Sequence, residues 1–165
     1  MKTLLLLRHA KSSWDHPDLV DHDRPLNKRG KRDLPRVGGL LVQAQLVPEH
    51  ILTSTAVRAR KTASGVADAS GFTGEICRSE QLYLAAPRQI MALVRNLSDR
   101  HQRVMLVGHN PGLESLLAAL SGSDRAMPTA ALGHIELDIS HWSDLQGDVN
   151  AELINFWRPR DLPAD

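Results

Sequence analysis

The sequence feature that most limits the fold is the run of four leucines at positions 4–7, which is followed directly by Arg8 and His9. A secretory signal needs an apolar region of roughly 7–15 residues before its cleavage site, so this run is too short. An apolar run of roughly 4–8 residues instead indicates a strand buried on both faces of a parallel sheet. Such strands carry functional groups just beyond their carboxyl ends, which is where Arg8 and His9 lie.

Strand-like and helix-like stretches alternate along the chain. The strand-like runs cover residues 4–7, 51–52, 75–77, 104–107, 135–139 and 153–157. The helix-like runs cover residues 26–46, 56–69, 87–97 and 112–120. The alternation predicts a three-layer α/β/α sandwich around a mainly parallel sheet. The last two strands have only a polar connection between them, which predicts an antiparallel hairpin and therefore a mixed sheet.

Pro35 interrupts the pattern of the first helix. A proline inside a helix removes one hydrogen bond and crowds the preceding turn. The sequence therefore predicts a break or a bend near Asp33 and Leu34.

The composition limits the class of protein and its partners. The 165 residues suit one domain over residues 1–165, and 42% hydrophobic with 24% charged residues is ordinary for a soluble protein. The net charge of +1 argues against nucleic acid or an anionic membrane as a partner. The single cysteine, Cys77, excludes an internal disulfide and a cysteine-based metal cluster. We expect a cytoplasmic protein, and no metal or other cofactor.

Cationic and imidazole side chains follow three of the predicted strands. Arg8 and His9 follow the first, Arg58 lies just after the second, and His109 follows the fourth. These strand ends should meet at one edge of a parallel sheet. Arginine matches the oxygens of a phosphoryl group, and an uncharged imidazole can attack phosphorus. The motifs therefore predict an anion pocket that holds a nucleophile, without a need for a metal ion.

The same motifs resemble those of the histidine phosphatase superfamily, which has the phosphoglycerate mutase-like fold. The segment Arg8-His9-Ala10 is similar to its Arg-His-Gly signature, residues 54–62 to its second motif, and Gly108-His109 to its third. The resemblance extends from residue 1 to about residue 157. Three further segments resemble the SixA-type phosphohistidine phosphatases, namely Asp23-Arg24-Pro25-Leu26, Leu82-Tyr83-Leu84-Ala85 and His109-Asn110-Pro111-Gly112.

The resemblance implies a role for each of four residues. His9 would be the nucleophile that is transiently phosphorylated, Arg8 and Arg58 would bind the phosphoryl oxygens, and His109 would hydrogen-bond the phosphoryl group in the transition state. For attack, one ring nitrogen of His9 needs a lone pair while an acceptor, such as a backbone carbonyl, holds its other N–H. Ala10 replaces the usual glycine, so this position should need no positive φ.

The remaining site residues are predicted less directly. Arg24 either binds the phosphate or substrate, or pairs with Asp21 or Asp23, while Lys11, Ser12 and the ring of Trp14 would line the pocket. Glu80 is the nearest candidate for the proton donor to the leaving group, ahead of four aspartates of the first loop, Asp15, Asp18, Asp21 and Asp23. Six other histidines have no partners at metal-ligand spacing and suit surface or structural roles, namely His16, His22, His50, His101, His134 and His141.

We therefore expect a metal-independent phosphatase that forms a covalent phosphohistidine. No segment is long enough to form a lid, so the pocket should be open and could accept a phosphohistidine on a phosphotransfer domain of another protein. Two alternatives stay open from the sequence. One is a phosphatase for small phosphomonoesters, and the other is a phosphate-binding module without catalysis.

Overall fold

The computed structural model describes residues 1–164 and contains one six-stranded mixed sheet between two layers of helices. In chain order the elements are β1 (Lys2–Arg8), α1 (Lys28–Gln43), β2 (His50–Ser54), α2 (Val57–Ser70), β3 (Glu75–Ser79), α3 (Pro87–Arg95), β4 (Arg103–Gly108), α4 (Gly112–Ser121), β5 (Leu132–Leu137) and β6 (Ala151–Trp157). The strand order across the sheet is β3-β2-β4-β1-β5-β6. The first four strands are parallel to one another, and β5 runs antiparallel to β1 and to β6.

The leucines of β1 separate two hydrophobic cores. Leu4 and Leu6 pack on one face of the sheet together with apolar side chains of α3 and α4. Leu5 and Leu7 pack on the other face with those of α1 and α2. All four leucines are fully buried, as expected for a central strand that is apolar on both faces. The predicted three-layer sandwich is therefore confirmed, and so is the antiparallel hairpin of β5 and β6.

Of the break or bend predicted near Asp33 and Leu34, the break is wrong, because α1 runs unbroken from Lys28 to Gln43. A bend stays a prediction. Pro35 lies on the exposed face of this helix, where Lys31 is exposed as well. The carbonyl of Lys31 lacks its usual partner four residues later, and at this surface water can satisfy it. The start of the helix also differs from the prediction. The Asn27 side chain accepts a hydrogen bond from the N–H of Gly30, which caps the helix at residue 28.

The other boundaries shift by a few residues. The strand predicted at residues 135–139 is displaced to 132–137, and the strands predicted at 51–52 and 75–77 are each longer by a few residues. Between residues 1 and 164, none of the helices is long and apolar enough to cross a membrane. The carboxyl ends of β1, β2 and β4 lie next to each other in the sheet, so the motifs that follow them share one edge.

Candidate active site

The three sequence motifs meet at this edge of the sheet. The backbone N–H of His9 donates a hydrogen bond to the carbonyl of Gly108 at the end of β4, over 3.1 Å. The rings of His9 and His109 are 5.2 Å apart between centroids and are inclined by 50°. Arg58 lies in the first turn of α2, just after β2, and is buried. The structure thus brings together one nucleophile candidate, a second imidazole and a guanidinium group.

The ring of His9 has a defined tautomer. Its Nδ1 is 2.8 Å from the carbonyl oxygen of Ala10, and because a carbonyl can only accept, Nδ1 carries the proton. Burial, opposed by the hydrogen bond to Ala10 and assisted by the charges of Arg58 and Arg8, lowers the pKa of His9 to about 4. At neutral pH the ring is therefore uncharged, and Nε2 keeps its lone pair.

Ala10 joins the nucleophile to α2. Its backbone does not adopt a positive φ, so the alanine at this place of the signature needs no glycine-like conformation. The N–H of Ala10 donates to the hydroxyl of Thr62 over 2.9 Å. That hydroxyl in turn donates to the carbonyl of Arg58 over 2.6 Å. The threonine of the second motif therefore fixes the start of α2 against the segment that carries His9.

His109 is held by the serine that ends β2. The Nε2 of His109 is 2.8 Å from the hydroxyl of Ser54, which also accepts a hydrogen bond from the N–H of Ala56. Among the described residues, that hydroxyl proton has no other acceptor, so it points to Nε2 and leaves Nδ1–H as a free donor. Burial lowers the pKa of His109 to about 3, and the neighbouring His9 and Arg58 contribute. His109 is thus an uncharged hydrogen-bond donor.

Asp21 connects the guanidinium groups of the site. Arg58 donates through Nη2 to Oδ2 of Asp21 over 3.0 Å, and through Nη1 to its backbone carbonyl over 2.7 Å. The hydroxyl of Tyr83 also donates to Oδ2. These contacts, first that of Tyr83 and then those of Arg58, hold the pKa of Asp21 at about 2. The carboxylate is therefore ionised and neutralises part of the positive charge of the site.

Arg8 contacts the opposite side of the pocket. Its Nη1 donates to the carbonyl of Met127 over 3.0 Å, in the segment that leads into β5. That segment is fixed by Glu114, which accepts hydrogen bonds from the N–H of Met127 and from the side chain of Asn110. Burial lowers the pKa of Arg8, while the charge of Glu114 raises it. Arg8 therefore stays a cation whose position is set by the chain that crosses the pocket.

Arg24 pairs with Asp21, as one of the two predicted alternatives states. Its Nε donates to Oδ1 of Asp21 over 3.1 Å, and its Nη1 donates to the hydroxyl of Ser12 over 2.9 Å. The guanidinium carbon lies 3.6 Å from the centroid of the Trp14 ring. Ser12 is buried and its hydroxyl positions Arg24. Its place in the lining of the pocket stays a prediction. Lys11 is half-buried, and its side chain makes no hydrogen bond or ion pair with the described residues. Phosphate binding by Arg24 and Lys11 stays a prediction.

Glu80 is exposed in a short 3-10 helix at residues 80–82. No hydrogen bond or ion pair among the described residues joins its carboxylate to His9 or His109. The carboxylate that does lie among the arginines is that of Asp21, which is held in its ionised form. The structure therefore gives Glu80 no contact that supports proton donation, and that role stays a prediction.

Ser54 and Tyr83 had no role assigned from the sequence, and Asp21 was considered only as a partner of Arg24 or as one of several candidate proton donors. Ser54 is the first residue of the second motif, but a motif does not show which imidazole a hydroxyl meets. Asp21 is one of four aspartates in the first loop, and the sequence does not distinguish them. Tyr83 carried the clearest signal, because the only tyrosine of the chain lies in one of the family-like segments. Its ring meets that of His109 edge-on at 5.4 Å.

Three exposed apolar side chains lie beside residues of the site, in the chain or by contact. Trp14 is 72% exposed and stacks on Arg24, Val20 is 65% exposed and precedes Asp21, and Leu84 is 58% exposed. Leu84 follows Tyr83 and has a φ of 51°, a conformation that is uncommon for a leucine. Trp14, Val20 and Leu84, called the apolar rim below, are thus exposed apolar side chains next to residues of the site.

Comparison with known proteins agrees with this geometry. Residues 4–83 match the sequence model of the histidine phosphatase superfamily (branch 1). An uncharacterised protein of Mycobacterium tuberculosis is 34% identical over 166 residues, which cover 93% of this chain and 100% of that protein. The family match includes the first and second motifs, and the mycobacterial match extends over nearly the whole chain.

Two solved structures have the same fold over nearly their full length. A candidate phosphohistidine phosphatase, SixA, of Agrobacterium tumefaciens is 30% identical with a TM-score of 0.82, and the match covers 96% of this chain and 98% of that one. The protein histidine phosphatase SixA in complex with tungstate also has a TM-score of 0.82, at 20% identity and with the same coverage. The sheet and its helices thus have the phosphoglycerate mutase-like arrangement of these proteins.

Proposed function

Because this chain belongs to the histidine phosphatase superfamily and is of the SixA type, we propose that it removes the phosphoryl group from phosphohistidine on another protein, through a phosphorylated His9. Membership of the superfamily supports phosphatase activity. The substrate and the covalent intermediate are the proposal.

The observation that carries the proposal is the state of His9. Its Nδ1–H is bound to the carbonyl of Ala10, so the lone pair is on Nε2, and the lowered pKa of about 4 keeps it available at neutral pH. A module that only binds phosphate needs no uncharged, oriented imidazole beside Arg8 and Arg58. This favours catalysis over the binding-module alternative.

The transfer has two balanced steps. In the first, Nε2 of His9 forms a bond to phosphorus while the phosphorus–nitrogen bond of the substrate breaks, and the leaving imidazole takes up a proton from solvent. In the second, water attacks the phosphorus, the bond to Nε2 breaks, and its electron pair returns to the ring as phosphate leaves. Arg8, Arg58 and the Nδ1–H of His109 would stabilise the charge on the phosphoryl oxygens in both steps.

The shape of the site supports a protein substrate. The segments that hold Arg24, Asp21 and Tyr83, residues 9–27 and 83–86, also carry the exposed side chains of the apolar rim. An exposed apolar rim around a polar pocket suits contact with the surface of another protein. A candidate phosphohistidine phosphatase is also among the similar structures at 30% identity.

Guanidinium groups supply the positive charge, so the reaction should proceed in the presence of a chelator.

The experiment follows the loss of label from a phosphotransfer protein that carries phosphohistidine, in chelator. The wild type is compared with His9→Ala and with His16→Ala, a control that replaces an exposed histidine of the first loop. We expect discharge by the wild type and His16→Ala and none by His9→Ala, and acid-labile label trapped on the wild type and His16→Ala but not on His9→Ala.

Discharge by His9→Ala at the wild-type rate would refute the covalent mechanism. Lack of discharge by the wild type, together with turnover of para-nitrophenyl phosphate that depends on His9, would refute the protein substrate and keep the mechanism. Phosphate binding by wild type without turnover of either substrate would favour the binding module.

A further inference from the structure

A second cluster of reactive side chains lies on β2 and the edge strand β3, away from the carboxyl ends of the strands. Strands β2 and β3 are paired so that His50 faces Glu75 and Leu52 faces Cys77. Glu75 and Cys77 are two residues apart in β3, so their side chains project from the same face of the sheet. His50 and Glu75 begin their strands and Cys77 is in the middle of β3, whereas Ser54 and the catalytic motifs are at the carboxyl ends of their strands.

The three side chains are close enough to share one ion. One ring nitrogen of His50, one carboxylate oxygen of Glu75 and the Sγ of Cys77 all lie within 4.8 Å of one another. In a tetrahedral site with bonds of roughly 2.0–2.3 Å, ligand atoms are about 3.3–3.8 Å apart. Glu75 is exposed and Cys77 is half-buried, so both side chains can make the small adjustment that this requires.

His50 provides an independent indication of a ligand. It is only 7% exposed, and its Nδ1 is buried without a hydrogen-bond partner among the described residues. Buried polar atoms without a partner are rare and call for an explanation. The ring of His101 stacks on that of His50 at 4.8 Å and 18°, which restricts its rotation. His101 is itself held in place, because its carbonyl accepts hydrogen bonds from Lys2 and Trp142.

We propose that His50, Glu75 and Cys77 form a zinc site, with a water molecule as the fourth ligand. Nitrogen, thiolate sulfur and carboxylate oxygen together are the donors that Zn²⁺ takes in proteins, whereas Mg²⁺ and Ca²⁺ take oxygen donors alone. On binding, the thiol of Cys77 releases its proton to solvent. The spacing of 25 and 27 residues from His50 is unlike that of compact zinc motifs, and only strand pairing brings the ligands together.

The site would have a structural consequence. β3 is an edge strand, and three of its five side chains are exposed. A zinc ion bound to His50 of β2 and to two residues of β3 would link this edge to the interior of the sheet. Edge strands are the part of a sheet most open to fraying and to pairing with other chains. Zinc should therefore stabilise the fold. It should not affect phosphoryl transfer at the carboxyl ends of the strands.

The test measures zinc affinity by competition with a chromophoric chelator, and thermal unfolding with and without zinc. The variants are Cys77→Ala and Glu75→Gln, which alter a half-buried and an exposed side chain and so preserve the fold. Glu152→Gln is the matched control, because Glu152 is an exposed glutamate on β6, the other edge strand. His9→Ala tests whether zinc binds at the catalytic imidazoles instead.

We expect one bound zinc per chain in the wild type, Glu152→Gln and His9→Ala. Cys77→Ala should weaken the affinity more than about a hundredfold, since even the loss of an outer partner of a ligand costs 10–100-fold. The rise in Tm with zinc should disappear with Cys77→Ala, and Co²⁺ should give a thiolate charge-transfer absorption only when Cys77 is present.

Three results would overturn the zinc site. One is the absence of zinc binding by the wild type at micromolar concentration. Another is an affinity that Cys77→Ala and Glu75→Gln leave unchanged. The third is the loss of binding in His9→Ala, which would assign the ion to the catalytic edge. The outcome is independent of the proposed phosphatase activity, because every measurement uses binding or unfolding and none uses turnover.

Discussion

The carboxylate of Asp21 is 3.0 Å from Nη2 of Arg58, so the buried guanidinium of the site already has an anionic partner. Asp21 also accepts from Nε of Arg24 over 3.1 Å. A phosphoryl group that binds these arginines has to compete with this carboxylate or tolerate its charge nearby. Asp21 therefore sets the affinity of the pocket for anions.

Asp21→Asn should strengthen the binding of inorganic phosphate. The amide keeps the size of the side chain and removes its charge, while the backbone carbonyl of residue 21 still accepts from Arg58. We expect the inhibition constant of phosphate to fall about tenfold, which corresponds to roughly 1.4 kcal/mol. Asp23→Asn is the control, because the side chain of this exposed aspartate bonds, among the described residues, with His22 and not with an arginine. Weaker binding in Asp21→Asn would show instead that the carboxylate is needed to hold Arg58 in position.

Ser54→Ala should slow catalysis with little effect on KM. The hydroxyl of Ser54 holds Nε2 of His109, and without it the ring loses its orientation and its preferred tautomer. We expect kcat to fall by about ten- to hundredfold, as for other small losses of alignment. The measurement compares kcat and KM with those of Thr53→Val, which removes the neighbouring hydroxyl that bonds to the Ser54 carbonyl. An unchanged kcat in Ser54→Ala would exclude this positioning role.

The stability of the fold should depend on pH through His9. Its pKa in the folded protein is about 4, against an ordinary value of 6.5, so between these values the unfolded chain binds a proton that the folded chain does not. The free energy of unfolding should therefore fall as the pH falls from about 6.5 to 4. The loss from His9 alone is about 3 kcal/mol, at 1.36 kcal/mol per pKa unit.

Urea unfolding at a series of pH values tests this dependence. In His9→Ala, the free energy of unfolding should fall less steeply with decreasing pH below 6.5 than in the wild type. In His16→Ala, which alters an exposed histidine, it should fall as steeply as in the wild type. Equal slopes in the wild type and His9→Ala would show that the buried ring does not carry the predicted linkage.

The leucines of β1 show why the fold could be predicted from the sequence. An apolar run on a short strand has to be covered on both faces, and this requirement alone implies two helix layers. His9 and His109 could be predicted as neighbours for a similar reason, because parallel strands end at a common edge. Pro35 could not be interpreted correctly, because the sequence does not show that the proline lies on the exposed face of its helix.

The polar contacts of the site depend on geometry that no local pattern contains. Tyr83 meets Asp21 across 62 residues, and His109 meets Ser54 across 55. Tyr83, Ser54 and His109 lie in family-like segments, yet none of these segments identifies the partner of its residue. The cluster of His50, Glu75 and Cys77 was missed for the same reason, since it arises from the register of β2 and β3.

Gly112→Ala should destabilise the fold and disturb the site. A Cβ at residue 112 would lie 2.0 Å from the carbonyl oxygen of Ala85, which is backbone and cannot easily move. Ala85 is two residues beyond Tyr83, so a shift of this segment should also move the hydroxyl that binds Asp21. We expect a loss of about 1–3 kcal/mol in the free energy of unfolding, as for other overpacked positions.

The control for this change is Gly39→Ala, in the interior of α1. A Cβ there meets nothing within 4 Å, and alanine favours a helix over glycine by about 0.8–1 kcal/mol. Urea unfolding should therefore show opposite signs for the two variants, and only Gly112→Ala should lower kcat/KM. A Gly112→Ala protein as stable and active as the wild type would mean that the contact between α4 and the Tyr83 segment relaxes without cost. The position of Tyr83 would then not depend on the close approach of these two backbones.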